Sequence, residues 1–183
     1  LNTFRSDGYV SSMSIFGGNN SPKGVPLALA VVCVAQFVVV LDVTIVTTAL
    51  PAIGQALGFG AADLQWVFTA YALVFGALLI FGGRLADIAG RRRTFLIGLA
   101  MFGVASAGCA VAWSPAALVA GRILQGAGAA LLSPAALAIL TTITEPGEHR
   151  RRAVGWWTAV AASGGASGWV FGGLLSQYAG WRW

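Results

Sequence analysis

An all-α membrane protein with five transmembrane helices is the fold class this sequence predicts, and three observations predict it. Of the 183 residues, 57% are hydrophobic and only 9% are charged, whereas a soluble domain carries about a quarter charged residues. The apolar residues collect in five long runs, and the basic residues collect in the gaps between them. So few charges cannot coat a water-facing surface, which argues against a soluble enzyme or binding module. Disorder is excluded as well, because it needs low hydrophobicity and high charge. The net charge of +5 sits in short clusters between apolar runs. That distribution suits the loops of a membrane protein and argues against a nucleic-acid partner.

A helix that crosses the hydrocarbon core needs about 20 mainly apolar residues, within a range of roughly 17 to 25. Five stretches qualify, at about 26–50, 64–82, 94–113, 116–141 and 153–178. Pro26 and Pro115 suit the first turn of a helix, where a missing N–H costs little. A membrane strand would alternate apolar and polar residues, and no such alternation occurs, so the spans are read as helices. Residues 1–24, rich in Gly, Ser and Asn, read as a cytoplasmic tail. They lack the basic cluster of a signal peptide, and the apolar run that follows is too long for one. Residues 25–183 then form one helical bundle.

Lys and Arg concentrate on the cytoplasmic side of membrane proteins. Lys23 precedes the first span, Arg84 and Arg91–Arg93 fill the second-to-third connection, and Arg150–Arg152 fill the fourth-to-fifth. The opposite connections, GQALGFGAADLQ and the turn around Ser114, contain no Lys or Arg. The expected orientation therefore puts the N-terminus in the cytoplasm and Trp183 outside, in a multi-pass protein of the inner (plasma) membrane.

Asp42 interrupts the first span and Arg122 the fourth. A charged residue at a helix centre costs about 2.5–3.5 kcal/mol on insertion scales, so both should face the bundle interior or a water-filled cavity. At about 1.5 Å rise per residue, Asp42 lies roughly 13 Å below Pro51 and Arg122 roughly 10 Å below Pro115. Both depths count from the same face, so an ion pair or a water-bridged pair is within reach. It can be a structural salt bridge, or a site that handles protons or cations, as intramembrane ionisable groups generally do. Gln36, Thr44, Thr48 and Gln125 can line the same cavity or bond to neighbouring backbone. In the fifth span, Gly164, Gly168 and Gly172 recur every four residues and share one face, with Gly165 and Gly173 beside them. Such small residues let another helix approach closely and can form a surface that slides or bends. Gly126 and Ala130 make a second such strip. Cys33 and Cys109 lie inside apolar runs and His149 is the single histidine. No metal cluster and no nucleophile–His pair is expected, hence no enzyme and no cofactor.

Four segments resemble the major facilitator superfamily and, within it, the drug:proton antiporters with fourteen spans. Leu41-Asp42-Val43-Thr44-Ile45-Val46-Thr47-Thr48-Ala49-Leu50-Pro51 is similar to the first-span motif of that branch, with Thr47 where Asn is usual. Gly83-Arg84-Leu85-Ala86-Asp87-Ile88-Ala89-Gly90-Arg91-Arg92-Arg93 is similar to the superfamily signature between spans two and three, with Ile88 where a basic residue is common. Leu118 to Ala130, with Arg122, Gln125, Gly126 and Gly128, resembles the fourth-span motif. Gly155, Gly164, Gly168, Gly172 and Gly173 fall at the spacing of the antiporter motif of the fifth span, with Trp169 where that motif has proline. Trp181-Arg182-Trp183 resembles the opening of a motif leading into a sixth span.

The resemblance implies five helices of the N-terminal six-helix bundle of a major facilitator transporter, a fold whose halves are inverted three-helix repeats around a midplane cavity. It further implies proton-coupled efflux of hydrophobic or cationic drugs or antibiotics, with the C-terminal half of the same transporter, protons, drug and the lipid bilayer as partners and the proton gradient as driving force. Proton coupling and substrate binding fall to Asp42 and Arg122, with Thr44 and Gln125 beside them. The gating loop is Gly83, Asp87, Gly90, Arg91 and Arg92. In relatives the acidic residue corresponding to Asp87 meets the second half, while spacing alone allows an Asp87–Arg91 pair along a helix turn or arginines anchored on anionic lipid. Two other readings remain at this stage: a symporter or facilitator for a small metabolite, and a truncated fragment that does not transport.

Overall fold

The computed structural model describes residues 24–178 apart from residue 61. Residues 1–23 of the expected 1–24 tail and the Trp181–Trp183 segment lie outside the described residues. Among those described, the chain forms five helices: α1 (Gly24–Leu57), α2 (Trp66–Ala89), α3 (Arg91–Ala110), α4 (Pro115–Ile143) and α5 (Glu148–Tyr178). By length and composition, α1 to α4 can each cross a membrane. The 31 residues of α5 are long enough, but its many glycines, serines and tryptophans and its charged first turn leave it less apolar than the others.

Several helices run beyond the expected spans, because an apolar run marks the part of a helix that lipid can cover and not its hydrogen-bonded ends. Pro51 lies inside α1, which continues to Leu57. The α2–α3 connection shrinks to Gly90: Gly83 to Ala89 complete α2, and Arg91 opens α3. Gly90 has φ 96°, a left-handed conformation that a β-carbon disfavours. Ser114 caps α4 by accepting from the Ala117 N–H at 3.2 Å, and Pro115 takes the first-turn position where its missing N–H costs nothing.

The central helix is α4. Two-thirds of its apolar window is buried (67%), against 22–28% in α1, α2 and α3. It packs against α1, α2 and α3, while α5 lies along α1. One apolar cluster joins Val32, Ala35 and Val39 of α1 with Phe95 and Phe102 of α3, Leu132, Ala136 and Leu140 of α4 and Ala153 of α5. A second, towards the other end, joins Ala49 and Ile53 with Val67, Ala112 and Leu118. Large apolar side chains such as Leu73 and Ile80 on α2 and Ile97 and Val104 on α3 remain exposed, forming a surface that suits lipid and not water.

Backbones meet where glycines allow it. A β-carbon on Gly98 would lie 2.7 Å from the Leu132 nitrogen, and one on Gly128 would lie 2.7 Å from the Phe102 nitrogen. At the α2–α4 contact, the absent N–H of Pro134 deprives the Ala130 carbonyl of its usual helical donor. That carbonyl stands against Gly82, where any β-carbon would overlap it. By contrast, Gly76 on the same helix has nothing within 4 Å of a β-carbon. Gly82→Ala is therefore expected to destabilise the bundle by about 1–3 kcal/mol, the cost of overpacking. Gly76→Ala should be neutral or slightly stabilising. Thermal unfolding in detergent, followed by size exclusion, checks the pair.

Candidate functional site

Among the described residues the largest fully buried side chain is that of Arg122, 1% exposed and two turns into α4. Four neighbours hold it. Its Nη1 donates to Asp42 Oδ2 at 2.6 Å and to Gln125 Oε1 at 2.7 Å. Its Nε donates to the Val67 carbonyl of α2 at 3.1 Å. Its guanidinium lies 4.4 Å from the ring centroid of Tyr71, and that ring stacks on Phe75 with centroids 6.0 Å apart.

Gln125 lies one turn beyond Arg122 and shares its face. Its amide is oriented by the charges on either side: Nε2 donates to Asp42 Oδ1 at 3.0 Å while Oε1 accepts from Arg122. The same oxygen accepts a weak bond from the Cys109 thiol of α3 at 3.4 Å. The Asp42 carboxylate thus uses both oxygens, and its side chain keeps 15% exposure against 1% for Arg122. The carboxylate is the member of the pair that a proton or cation can reach. The arrangement can exchange a proton or a cationic group at Asp42 while the guanidinium stays fixed.

Of the residues singled out from sequence, Asp42, Arg122 and Gln125 come together, and Thr44 does not. Two positions from Asp42 is about 200° around a helix, so Thr44 faces α5 instead. Its hydroxyl donates to the Val40 and Leu41 carbonyls and meets Gly168. Thr48 likewise donates to the Ile45 carbonyl and meets Gly172. Gly164 completes this contact: a β-carbon there would lie 2.7 Å from the Phe37 carbonyl oxygen. The three glycines therefore seat α5 against α1, level with Asp42 and on the opposite side of α1 from it. Gly155 and Gly173 have nothing within 4 Å of a β-carbon and lie off that contact. Trp169 is exposed.

At the other candidate, Gly83 lies near the Pro134 side chain, and Asp87, Gly90, Arg91 and Arg92 are exposed at one end of the bundle. The Asp87–Arg91 pair that the spacing allowed is not among the salt bridges of the described residues, and Gly90 breaks the helix between the two. Arg91 instead donates from Nη1 to the Thr142 hydroxyl of α4. Arg150 donates to the Thr144 carbonyl at 3.1 Å. Both basic loops thus gather around the C-terminal end of α4.

Sequence reasoning missed Tyr71, the Val67 carbonyl and Cys109. A tyrosine inside an apolar run was a usable signal, and it sits one turn from Val67. Nothing in sequence links Cys109 to Gln125.

Comparison with known proteins agrees with this architecture. Residues 32–183 match the family model described as Major Facilitator Superfamily. The chain is 47% identical over 173 residues to the cephamycin export protein CmcT of Amycolatopsis lactamdurans, covering 94% of this chain and 36% of that protein. It is 50% identical over 156 residues to the puromycin resistance protein pur8 of Streptomyces alboniger, covering 85% and 31%. It is 43% identical over 154 residues to the tetracenomycin C resistance and export protein of Streptomyces glaucescens, covering 84% and 28%. The chain spans about a third of the length of these relatives. With its helices, its buried pair and its match over most of its length, this multi-pass membrane chain belongs to the Major Facilitator Superfamily of transporters.

Proposed function

We propose that this chain acts, within a transporter of its relatives' length, in proton-coupled efflux of hydrophobic or cationic drugs across the cytoplasmic membrane, with its N-terminus in the cytoplasm. The observation that carries this reading is the Asp42–Arg122–Gln125 cluster, a charge pair in mid-bundle whose carboxylate alone is accessible. Relatives named for export of cephamycin and for resistance to puromycin support the substrate class. Orientation rests on the Arg91–Arg93 and Arg150–Arg152 clusters at one end of the bundle.

In this mechanism a cationic drug or a proton competes for the Asp42 carboxylate, and exchange follows because the two cannot occupy it together. Arg122 prevents Asp42 from being a mere sink for cations, since any newcomer must replace part of a 2.6 Å ion pair. Gln125 keeps both oxygens oriented while the partner changes. Gly83, Asp87, Gly90, Arg91 and Arg92 act as the gating loop against the C-terminal half. Gly164, Gly168 and Gly172 let α5 follow α1. No cofactor takes part, and the proton gradient supplies the energy.

Asp42→Asn in the full-length protein is expected to abolish efflux of a dye such as ethidium from cells, at unchanged membrane abundance. Wild-type efflux in that variant would overturn the assignment. Collapse of the gradient by a protonophore should stop wild-type efflux, whereas a facilitator would ignore it. Arg122→Lys should lower efflux at least about tenfold, because a lysine cannot donate to Val67, Gln125 and Asp42 from one planar fork. Initial rates of dye efflux at matched expression measure the loss.

A further inference from the structure

Proton exchange at Asp42 leaves a difficulty on the other side of the ion pair. When the carboxylate carries a proton, Arg122 keeps its charge, being essentially always protonated, yet at 1% exposure it has almost no water around it. Its remaining neighbours must then hold a cation without a counter-charge. They are the Gln125 oxygen, the Val67 carbonyl and the face of Tyr71. Nη2 has no hydrogen-bond acceptor at all. The aromatic face is the largest of these neighbours, and its quadrupole attracts a guanidinium most strongly where water is excluded.

Tyr71 is built into this position and does not merely drift near it. It is 4% exposed and stacks on Phe75. Its backbone presses on Gly126, where a β-carbon would lie 2.6 Å from the Tyr71 carbonyl oxygen. Val67 and Tyr71 are one turn apart on α2, so one helix face presents both the carbonyl and the ring to Arg122. We propose that Tyr71 is a positioning residue for proton exchange: its ring face keeps the Arg122 guanidinium in place while Asp42 is protonated. This inference rests on the exporter reading above.

The titratable and charged groups around Asp42 are Arg122 on α4, Tyr71 on α2 and Cys109 on α3, with Gln125 as a neutral neighbour. From α5, Gly164, Gly168 and Gly172 meet α1, and none of them titrates. The sign of the effect follows. With Asp42 neutral, the ring is one of the few groups left to hold the guanidinium, so losing its face costs most in that state. Weakening the ring therefore favours the intact ion pair over the proton-loaded state.

The test uses the full-length protein in proteoliposomes and records drug transport against pH. Phenylalanine at position 71, then phenylalanine with one, two and three ring fluorines introduced by nonsense suppression, drains the ring face stepwise at nearly constant shape. Asp42→Asn serves as reference. Tyr71→Phe should keep the wild-type profile, and half-maximal transport should move progressively to lower pH, by roughly 0.5–1 unit across the series. Tyr71→Leu should match or exceed the last member. The nearly isosteric series removes any dependence on whether the leucine variant folds. A flat profile across the series, with Asp42→Asn inactive, overturns the role of Tyr71 and leaves the exporter reading standing. Wild-type transport by Asp42→Asn overturns both.

Discussion

The burial of one guanidinium governs this bundle. A charge at the centre of a membrane helix is costly, and an ion pair in such a place is favourable only when geometry is good and the remaining donors are satisfied. Arg122 meets most of that condition with groups from two other helices and its own: Asp42 from α1, Val67 and Tyr71 from α2, and Gln125 one turn along α4, with Nη2 left without an acceptor. Cys109 of α3 supports Gln125 in turn. Four helices are therefore fixed relative to one another by a polar cluster a few ångströms across. Loss of either charge would strand the other, a defect worth about 3–5 kcal/mol in buried pairs.

Such a cluster requires backbones to approach closely, and lipid supplies no hydrophobic force between helices to bring them there. The sequence answers with glycine wherever a side chain would hold two helices apart. Gly126 admits the backbone of Tyr71 next to Arg122, Gly98 and Gly128 interlock α3 with α4, and Gly82 receives the carbonyl freed by Pro134. These contacts gain dispersion energy. Packing and electrostatics are thus two aspects of one constraint, because the polar groups reach Arg122 only at the interhelical distances that the glycines permit.

Depth was legible in the sequence, and azimuth was legible only in part. Counting residues from Pro51 and Pro115 placed Asp42 and Arg122 at matching heights, and the structure pairs them. Arg122 and Gln125, three apart, share a face by helical period alone. Thr44 takes its backbone-bonded alternative by the same geometry, since two residues carry it round to α5. Helix ends were less legible because apolarity reports lipid contact, not hydrogen bonding: α1 passes through Pro51, and only Gly90 parts α2 from α3. The contributions of Val67 and Cys109 could not be read, one being a backbone carbonyl and the other depending on how α3 settles against α4. Tyr71 was an aromatic residue in an apolar run, and only the partner it faces shows its use.

The placement of α1 gives the cluster a route to the rest of the bundle. One face of α1 carries Asp42 towards α4. The face behind it carries Leu41, Thr44, Ile45 and Thr48 into the glycine strip of α5. Asp42 and Leu41 are adjacent in sequence, so a shift of the carboxylate by α1 rotation or translation moves the residues that seat α5 by a similar amount. α5 makes much less contact with α4 than with α1 and is free to follow. Meanwhile Arg122 is anchored to α2 through Val67 and Tyr71 independently of Asp42. The ion pair therefore spans a boundary between α1 with α5 and α4 with α2 and α3. In the proposed mechanism a single proton at Asp42 would act on that boundary, weakening the ion pair across it while leaving the packing within each group intact.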